Sequence, residues 1–202
     1  MFRTTLRFVL PAITAAVLVA GCSGDTGNQA HGNMPGMPTS PASAPADTAR
    51  DTHNAADVTF AQQMIPHHQQ AVTMADLVAE RTSNQQVIDL AQQIQQAQDP
   101  EIQQLSEWLQ QWGEEMPEGH SAHGDMPGMM GSGHLDELAG LRDREFDRRW
   151  LELMVEHHQG AIDMARTELA QGQGAEAKRL AQTIIDAQQA EIDTMNGMLG
   201  NR

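Results

Sequence analysis

The chain has 202 residues, 27 acidic and 12 basic side chains, and a formal charge of −15. A balance this negative argues against a nucleic-acid partner, since little is left to neutralise phosphates, and a single Cys rules out a disulfide framework or a multi-Cys zinc site. Aromatics are 3% with no Tyr, while Met reaches 13 and His 9, so thioether and imidazole are abundant where thiolate is not.

Residues 1–21 read as a lipoprotein signal peptide. Arg3 and Arg7 precede an apolar run over 8–20 that is shorter than the roughly 20 residues a membrane span needs. Val19-Ala20-Gly21-Cys22 resembles a bacterial lipobox. Cys22 is therefore expected to become the lipidated first residue, anchoring the chain outside the cytoplasm, in the periplasm or on the outer cell surface. Removing Arg3 and Arg7 leaves the mature chain two charges more negative. Residues 22–56 are mostly Gly, Pro, Ala, Ser, Thr and Asp. They offer too little apolar surface to offset ordering entropy, which predicts a flexible, disordered tether.

Residues 57–202 contain a duplication. Phe60-x3-Met64-Ile-Pro-His67-His68-Gln69-x-Ala71-x2-Met74-Ala75 recurs 90 residues later as Trp150-x3-Met154-Val-Glu-His157-His158-Gln159-x-Ala161-x2-Met164-Ala165. The same offset relates Leu90, Ile94, Gln98 and Glu101 to Leu180, Ile184, Gln188 and Glu191, so the repeating unit is larger than the motif. Each unit predicts two helices. Phe60, Met64, His68, Ala71, Ala75 and Val78 form one stripe, and Val87, Ala91, Ile94, Gln98, Ile102, Leu105, Leu109 and Trp112 another. Thr82-Ser83-Asn84 separates them and offers a cap. Pro100 points away from its stripe, which predicts a bend and no break. The second unit predicts helices over 142–171 and 174–199, with 113–140 left as a Met- and His-rich loop. Two hairpins, each apolar on one side, predict an all-α four-helix bundle.

The stripes carry chemistry that a plain core would not need. Met64 lies at a stripe centre with His67 and His68 beside it and Met74 one heptad beyond His67; Met154, His157, His158 and Met164 repeat the pattern. Glu101 and Glu191 fall in the stripes of the second helices, where a carboxylate is costly unless paired or ligated. A single buried Met is usually core filler, and Glu101 and Glu191 could instead accept hydrogen bonds from the histidines. The exact doubling of His-His with its Met neighbours favours metal binding. Where di-iron bundles carry Glu-x-x-His, this chain carries Met64-x-x-His67 and Met154-x-x-His157. Thioether in place of carboxylate favours Cu(I), and equally Ag(I), over iron.

A second signal agrees. The tether holds His31-Gly-Asn-Met34-Pro-Gly-Met37, and the loop holds His123-Gly-Asp-Met126-Pro-Gly-Met129-Met130 between His120 and His134. Met and His in flexible Gly/Pro segments suit auxiliary capture of Cu(I), because thioethers bind it without losing a proton.

The repeated His-His motifs, the Met-Pro-Gly-Met-Met run at 126–130 and Phe146-Asp-Arg together resemble the domain of unknown function 305 family over about 57–199. The resemblance implies a ferritin-like bundle in exported bacterial proteins, and a kinship with periplasmic copper-binding members. By motif position it extends to Met64, His67, His68, Met74, Met154, His157, His158 and Met164.

The expected function is therefore a lipid-anchored binding protein, not an enzyme, that sequesters Cu(I) or passes it to a copper transporter or chaperone. One alternative is a ferritin-like oxidoreductase using Glu101, Glu191 and the histidines on iron or copper. Another is a metal-free surface module in which the stripes are only core.

Overall fold

The computed structural model describes residues 52–117 and 126–200. Cys22, His31, Met34, Met37, His120 and His123 lie outside the described residues. Within them the chain is all-helical: α1 (Ala55–Asp76), α2 (Val78–Arg81), α3 (Gln85–Trp112), α4 (Ser132–Gly140), α5 (Asp143–Gln171) and α6 (Ala175–Gly200).

Local chemistry explains most of the boundaries. Asn54 opens α1 as an N-cap: its Oδ1 accepts from the amides of Ala56 (2.8 Å) and Asp57 (3.2 Å), while Asp57 Oδ2 accepts the Asn54 amide at 2.6 Å. The pair forms a capping box with Asp in the second role. Asn84 caps α3 in turn through the Gln86 amide, 3.2 Å away. Pro100 is exposed and α3 runs through it to Gly113, whose φ of 75° supplies the left-handed C-terminal turn. Pro66 is accommodated inside α1 in the same way, although it is buried. The one helix without a counterpart in the sequence reading is α4, which occupies the end of the stretch taken as loop.

The buried side chains fall into two apolar clusters. One joins Ala71, Met74 and Val78 with Val87, Leu90, Ile94, Phe146, Trp150, Met154, Ile192 and Met195. The other joins Phe60, Met64 and Ile65 with Leu105, Leu109, Ala161, Met164, Leu180 and Ile184. The first therefore unites the C-terminal half of α1, the N-terminal halves of α3 and α5, and the C-terminal half of α6. The second unites the opposite halves. It follows that α1 and α6 run one way and α3 and α5 the other. The hairpin α1/α3 meets the hairpin α5/α6 mainly through α1 and α5.

The 90-residue offset converts one cluster into the other: Phe60 corresponds to Trp150, Met64 to Met154, Ala71 to Ala161 and Met74 to Met164. The two halves are thus related by an approximate two-fold operation. Between the clusters lies a layer of buried polar side chains, His67, His68, Gln98, His157, His158 and Gln188.

Reciprocal polar contacts lock the halves together. Asp57 of the first accepts the amides of Gln173 (3.1 Å) and Gly174 (2.8 Å) in the second hairpin's turn. Its repeat equivalent Asp147 accepts from Asn84 Nδ2 (2.8 Å) in the first hairpin's turn. Trp150 on α5 also donates from Nε1 to the carbonyl of Met74 on α1, 2.9 Å away and fully buried. Trp150→Phe removes that donor and part of the ring, and is expected to cost about 2 kcal/mol, read as a lowered urea midpoint with an unchanged slope.

Candidate metal centre

The polar layer sits where the two His-His turns meet. The rings of His67 and His157 have their centroids 3.8 Å apart, tilted by 40°, at the centre of the approximate two-fold. His68 and His158 face outward to α3 and α6: His68 Nε2 donates to Glu101 Oε2 at 2.8 Å, and His158 Nε2 to Glu191 Oε2 at 2.7 Å. The two glutamates are half-buried. They pair with the histidines, in the arrangement that holds a metal-ligating imidazole in place elsewhere.

The tautomers follow from these contacts. A carbonyl or carboxylate oxygen only accepts, so Nε2 carries a proton in His67, His68 and His158, and in His67, kept neutral by burial, Nδ1 keeps its lone pair. None of the three Nδ1 atoms has a hydrogen-bond partner, and neither ring nitrogen of His157 has a well-formed one, the backbone of His67 being its one weaker contact. Orphaned buried polar atoms cost about 1–3 kcal/mol each, which a packed core would avoid. Burial pushes the His67 pKa down to about 3, helped by His68 and opposed by the Pro127 carbonyl. Burial first, then His67 and His158, hold His157 well below the ordinary range. Both rings are neutral near pH 7 and have no proton to lose before ligating a cation.

The thioethers flank this layer. Met64 and Met154 lie one turn from His67 and His157, fully buried, one in each apolar cluster. Met74 and Met164 stand seven residues from the same histidines, about 10 Å along the helix axes. Among the described residues no three His, Cys, Asp or Glu side chains converge as a metal site. The donors nearest the paired histidines along α1 and α5 are the thioethers of Met64 and Met154.

The Met-rich loop also departs from its expected form. Pro127 and Gly128, with φ of 75° at Gly128 and a Met129 amide to Met126 carbonyl bond of 3.2 Å, form a tight turn with the Pro-Gly placement of type II. This turn is docked on the helices. His67 Nε2 donates to the Pro127 carbonyl at 3.1 Å, and Gln70 grips Met130 twice, accepting its amide at 2.7 Å and donating to its carbonyl at 2.9 Å. Met130 is buried in the first cluster, Met126 and Met129 are half-buried, and His134 is exposed on α4. At Gly160 a Cβ would lie 2.1 Å from the Pro127 oxygen, so only glycine lets the turn approach.

Sequence reasoning missed Gln70, Gly160, Asp57 and Glu168. For the first two a signal existed: 70 and 160 are equivalent positions, Gln in one copy of the motif and Gly in the other. Glu168 is buried beside Asp57. Burial and the neighbouring Asp57 raise its pKa to about 8. Burial also acts to raise Asp57, but hydrogen bonds from Glu168 and from the amides of Asn54, Gln173 and Gly174 outweigh it and hold that carboxyl low.

An all-helical domain with duplicated His-His turns meeting between methionines defines the class. Residues 57–199 match the model of a domain of unknown function, DUF305, and the chain belongs to that family. It is 35% identical to a DUF305 fragment from Deinococcus radiodurans, covering 74% of this chain and 98% of that one with a TM-score of 0.68. A DUF305 protein from Streptomyces coelicolor, described as secreted, is 33% identical over 72% of this chain and 93% of its own, TM-score 0.67. CopM in its Cu(I)-bound form is 32% identical over 72% of this chain and 96% of its own, TM-score 0.62; CopM structures also include Cu(II)- and Ag-bound forms. No curated protein matches.

Proposed function

We propose that this chain is an extracytoplasmic lipoprotein that binds Cu(I), and equally Ag(I), for sequestration or hand-over in copper homeostasis, on a ferritin-like four-helix bundle made of two hairpins. The observation that carries the reading is the pair of neutral, buried imidazoles of His67 and His157 in contact, with nitrogens that lack a well-formed hydrogen bond and a thioether one turn away on each side. Neutral nitrogen and sulfur donors suit a soft monovalent ion, which brings one charge into an apolar interior where a divalent ion would bring two. The Cu(I)- and Ag-bound structures of CopM, a relative about one-third identical, support it. Neither the family nor these neighbours indicate an enzyme.

In this reading His67, His157, Met64 and Met154 form the inner donors. His68 and His158 are adjacent donors, oriented by Glu101 and Glu191. Met74 and Met164 are second stations along α1 and α5, and Met126 and Met129 line the approach. His31, Met34, Met37, His120, His123, Met130 and His134 serve as auxiliary capture groups. No helix of the described residues is long and apolar enough to cross a membrane, and attachment is assigned to a lipid on Cys22. The secreted description of the Streptomyces relative agrees with export. A copper transporter or chaperone would receive the ion.

Titration of the full chain under anaerobic, reducing conditions tests this. Cu(I) and Ag(I) are expected to bind at least 100-fold more tightly than Zn(II) or Fe(II), and the double variant His67→Gln/His157→Gln to lose at least 100-fold of the Ag(I) affinity. Preference for Fe(II), or uptake untouched by the double variant, would overturn the reading in favour of an iron enzyme or a metal-free module respectively.

A further inference from the structure

The duplicated motif is symmetric in its histidines, its methionines and its glutamate pairs, and of the neighbouring positions that differ, 70 and 160 are the pair that meet the Met-rich turn. Residue 70 is Gln, and its equivalent 160 is Gly. Both touch the same segment, Met126-Pro127-Gly128-Met129-Met130. Gln70 holds the Met130 backbone at both its amide and its carbonyl. Gly160 leaves room for the Pro127 carbonyl, and Gly128 fits because a Cβ there would lie 2.8 Å from the His157 carbonyl. A single segment cannot obey a two-fold relation, so where it crosses the centre the two copies have to differ.

The consequence falls on His67 and His157. The turn delivers the Pro127 carbonyl to His67 Nε2, while neither ring nitrogen of His157 makes a well-formed hydrogen bond, the backbone of His67 offering it only a weaker one. His67 is thereby fixed as the Nε2–H tautomer with Nδ1 presented as a lone pair, and His157, which lacks a docked acceptor of that kind, is held less tightly in its tautomer. His68 and His158 obtain the same fixation from carboxylates on their own hairpins. His67 obtains it only through the docked turn.

Resting on the soft-metal reading above, we propose that Gln70 and Gly160 are positioning residues: they dock the 126–130 turn so that the Pro127 carbonyl sets the tautomer and orientation of His67, which meets the ion through Nδ1, while His157 adapts to it. The two equivalent histidines of the duplication have therefore divided their roles. One is preset and the other completes the donor set after the ion arrives. Outer-shell partners of this kind typically account for 10–100-fold in metal affinity.

The experiment is ¹⁵N NMR of the histidine side chains in the full chain, without metal and with Ag(I), for the native sequence and Gln70→Ala. Without metal, His67 is expected as one Nε2–H tautomer and His157 as a mixture. In Gln70→Ala, His67 is expected to become a mixture as well, while His158, held by Glu191, stays unchanged as an internal standard. With Ag(I), scalar coupling of silver to nitrogen is expected at His67 Nδ1, and Gln70→Ala is expected to weaken Ag(I) binding about tenfold. A general loss of packing would disturb His158 too, which separates positioning from structural support. An Nε2–H tautomer of His67 that persists in Gln70→Ala, or silver coupled to Nε2, would overturn the proposal. Failure of Ag(I) to bind the native chain would sink the metal reading alone, because the tautomers of the metal-free chain are decided independently.

Discussion

Thermal melts of the metal-free chain are expected to give a Tm that peaks at about pH 6.5 and falls on both sides. On the alkaline side the responsible group is Glu168. Its carboxyl ionises at about 8 in the folded chain against 4.5 without the fold, because burial and the Asp57 carboxylate disfavour its charge. The stability it contributes is complete below about pH 4.5 and gone above about 8. On the acid side the groups are His67, at about 3 against 6.5, and His157, displaced in the same direction by burial. Their neutral forms are the folded forms, so that contribution is complete above about pH 6.5 and lost as the pH falls. Between about 4.5 and 6.5 two imidazoles oppose one carboxyl and win, and above 6.5 the carboxyl acts alone. A net imbalance of one proton is worth about 1.4 kcal/mol per pH unit, so about 2 kcal/mol should be lost by pH 8 and a similar amount by pH 5. For a domain of this size that is a fall of about 4–8 °C in Tm. Glu168→Gln, whose amide still donates to Asp57, should flatten the alkaline limb and steepen the acid limb, because the carboxyl no longer opposes the two imidazoles between about pH 4.5 and 6.5. A Tm constant from pH 6.5 to 8 in the native chain would contradict the assignment.

The features that were legible in the sequence are those that repeat. The register of 90 residues located both hairpins and related their core positions to one another, though not Met130 and Leu138 between them, and helical periodicity placed His67, His68, His157 and His158 inside. That Glu101 and Glu191 pair with His68 and His158 was one of two readings left open, because a stripe position fixes the face of a helix and not the partner it meets. What repetition could not show is where the halves touch. Asp57 reads as an ordinary acidic residue in the first turn of α1, yet its carboxylate reaches amides at 173 and 174. No local pattern encodes a contact of that separation. The Met-Pro-Gly-Met run shows the opposite limit. Its composition reads as a mobile linker, and its turn geometry was available from Pro-Gly alone, but its docking depends on Gln70 and Gly160 acting from two different helices.

The differing residue at position 160 also separates two rules that usually agree. Gly160→Ala places a better helix former inside α5, which by propensity alone would stabilise by up to about 1 kcal/mol. The added Cβ, however, would lie 2.1 Å from the Pro127 oxygen and 2.4 Å from its carbonyl carbon. These are backbone atoms with no rotamer to yield. The turn cannot swing aside cheaply, because Met130 behind it is buried and clipped by Gln70. Lifting the turn exposes Met130, worth roughly 1.5–3 kcal/mol for a buried side chain, and strips the Pro127 carbonyl from His67. The steric effect outweighs propensity, and a net loss of about 2–4 kcal/mol is expected, read as a Tm lowered by about 5–12 °C. Gly197→Ala is the matched comparison. It makes the same chemical change in α6 where nothing lies within 4 Å of the new Cβ, so propensity acts unopposed and a gain of up to about 1 kcal/mol is expected. The same substitution should therefore change sign between two helices of one molecule. If Gly160→Ala were neutral or stabilising, the 126–130 turn would not be docked on α5, and the asymmetry between His67 and His157 would lose its cause.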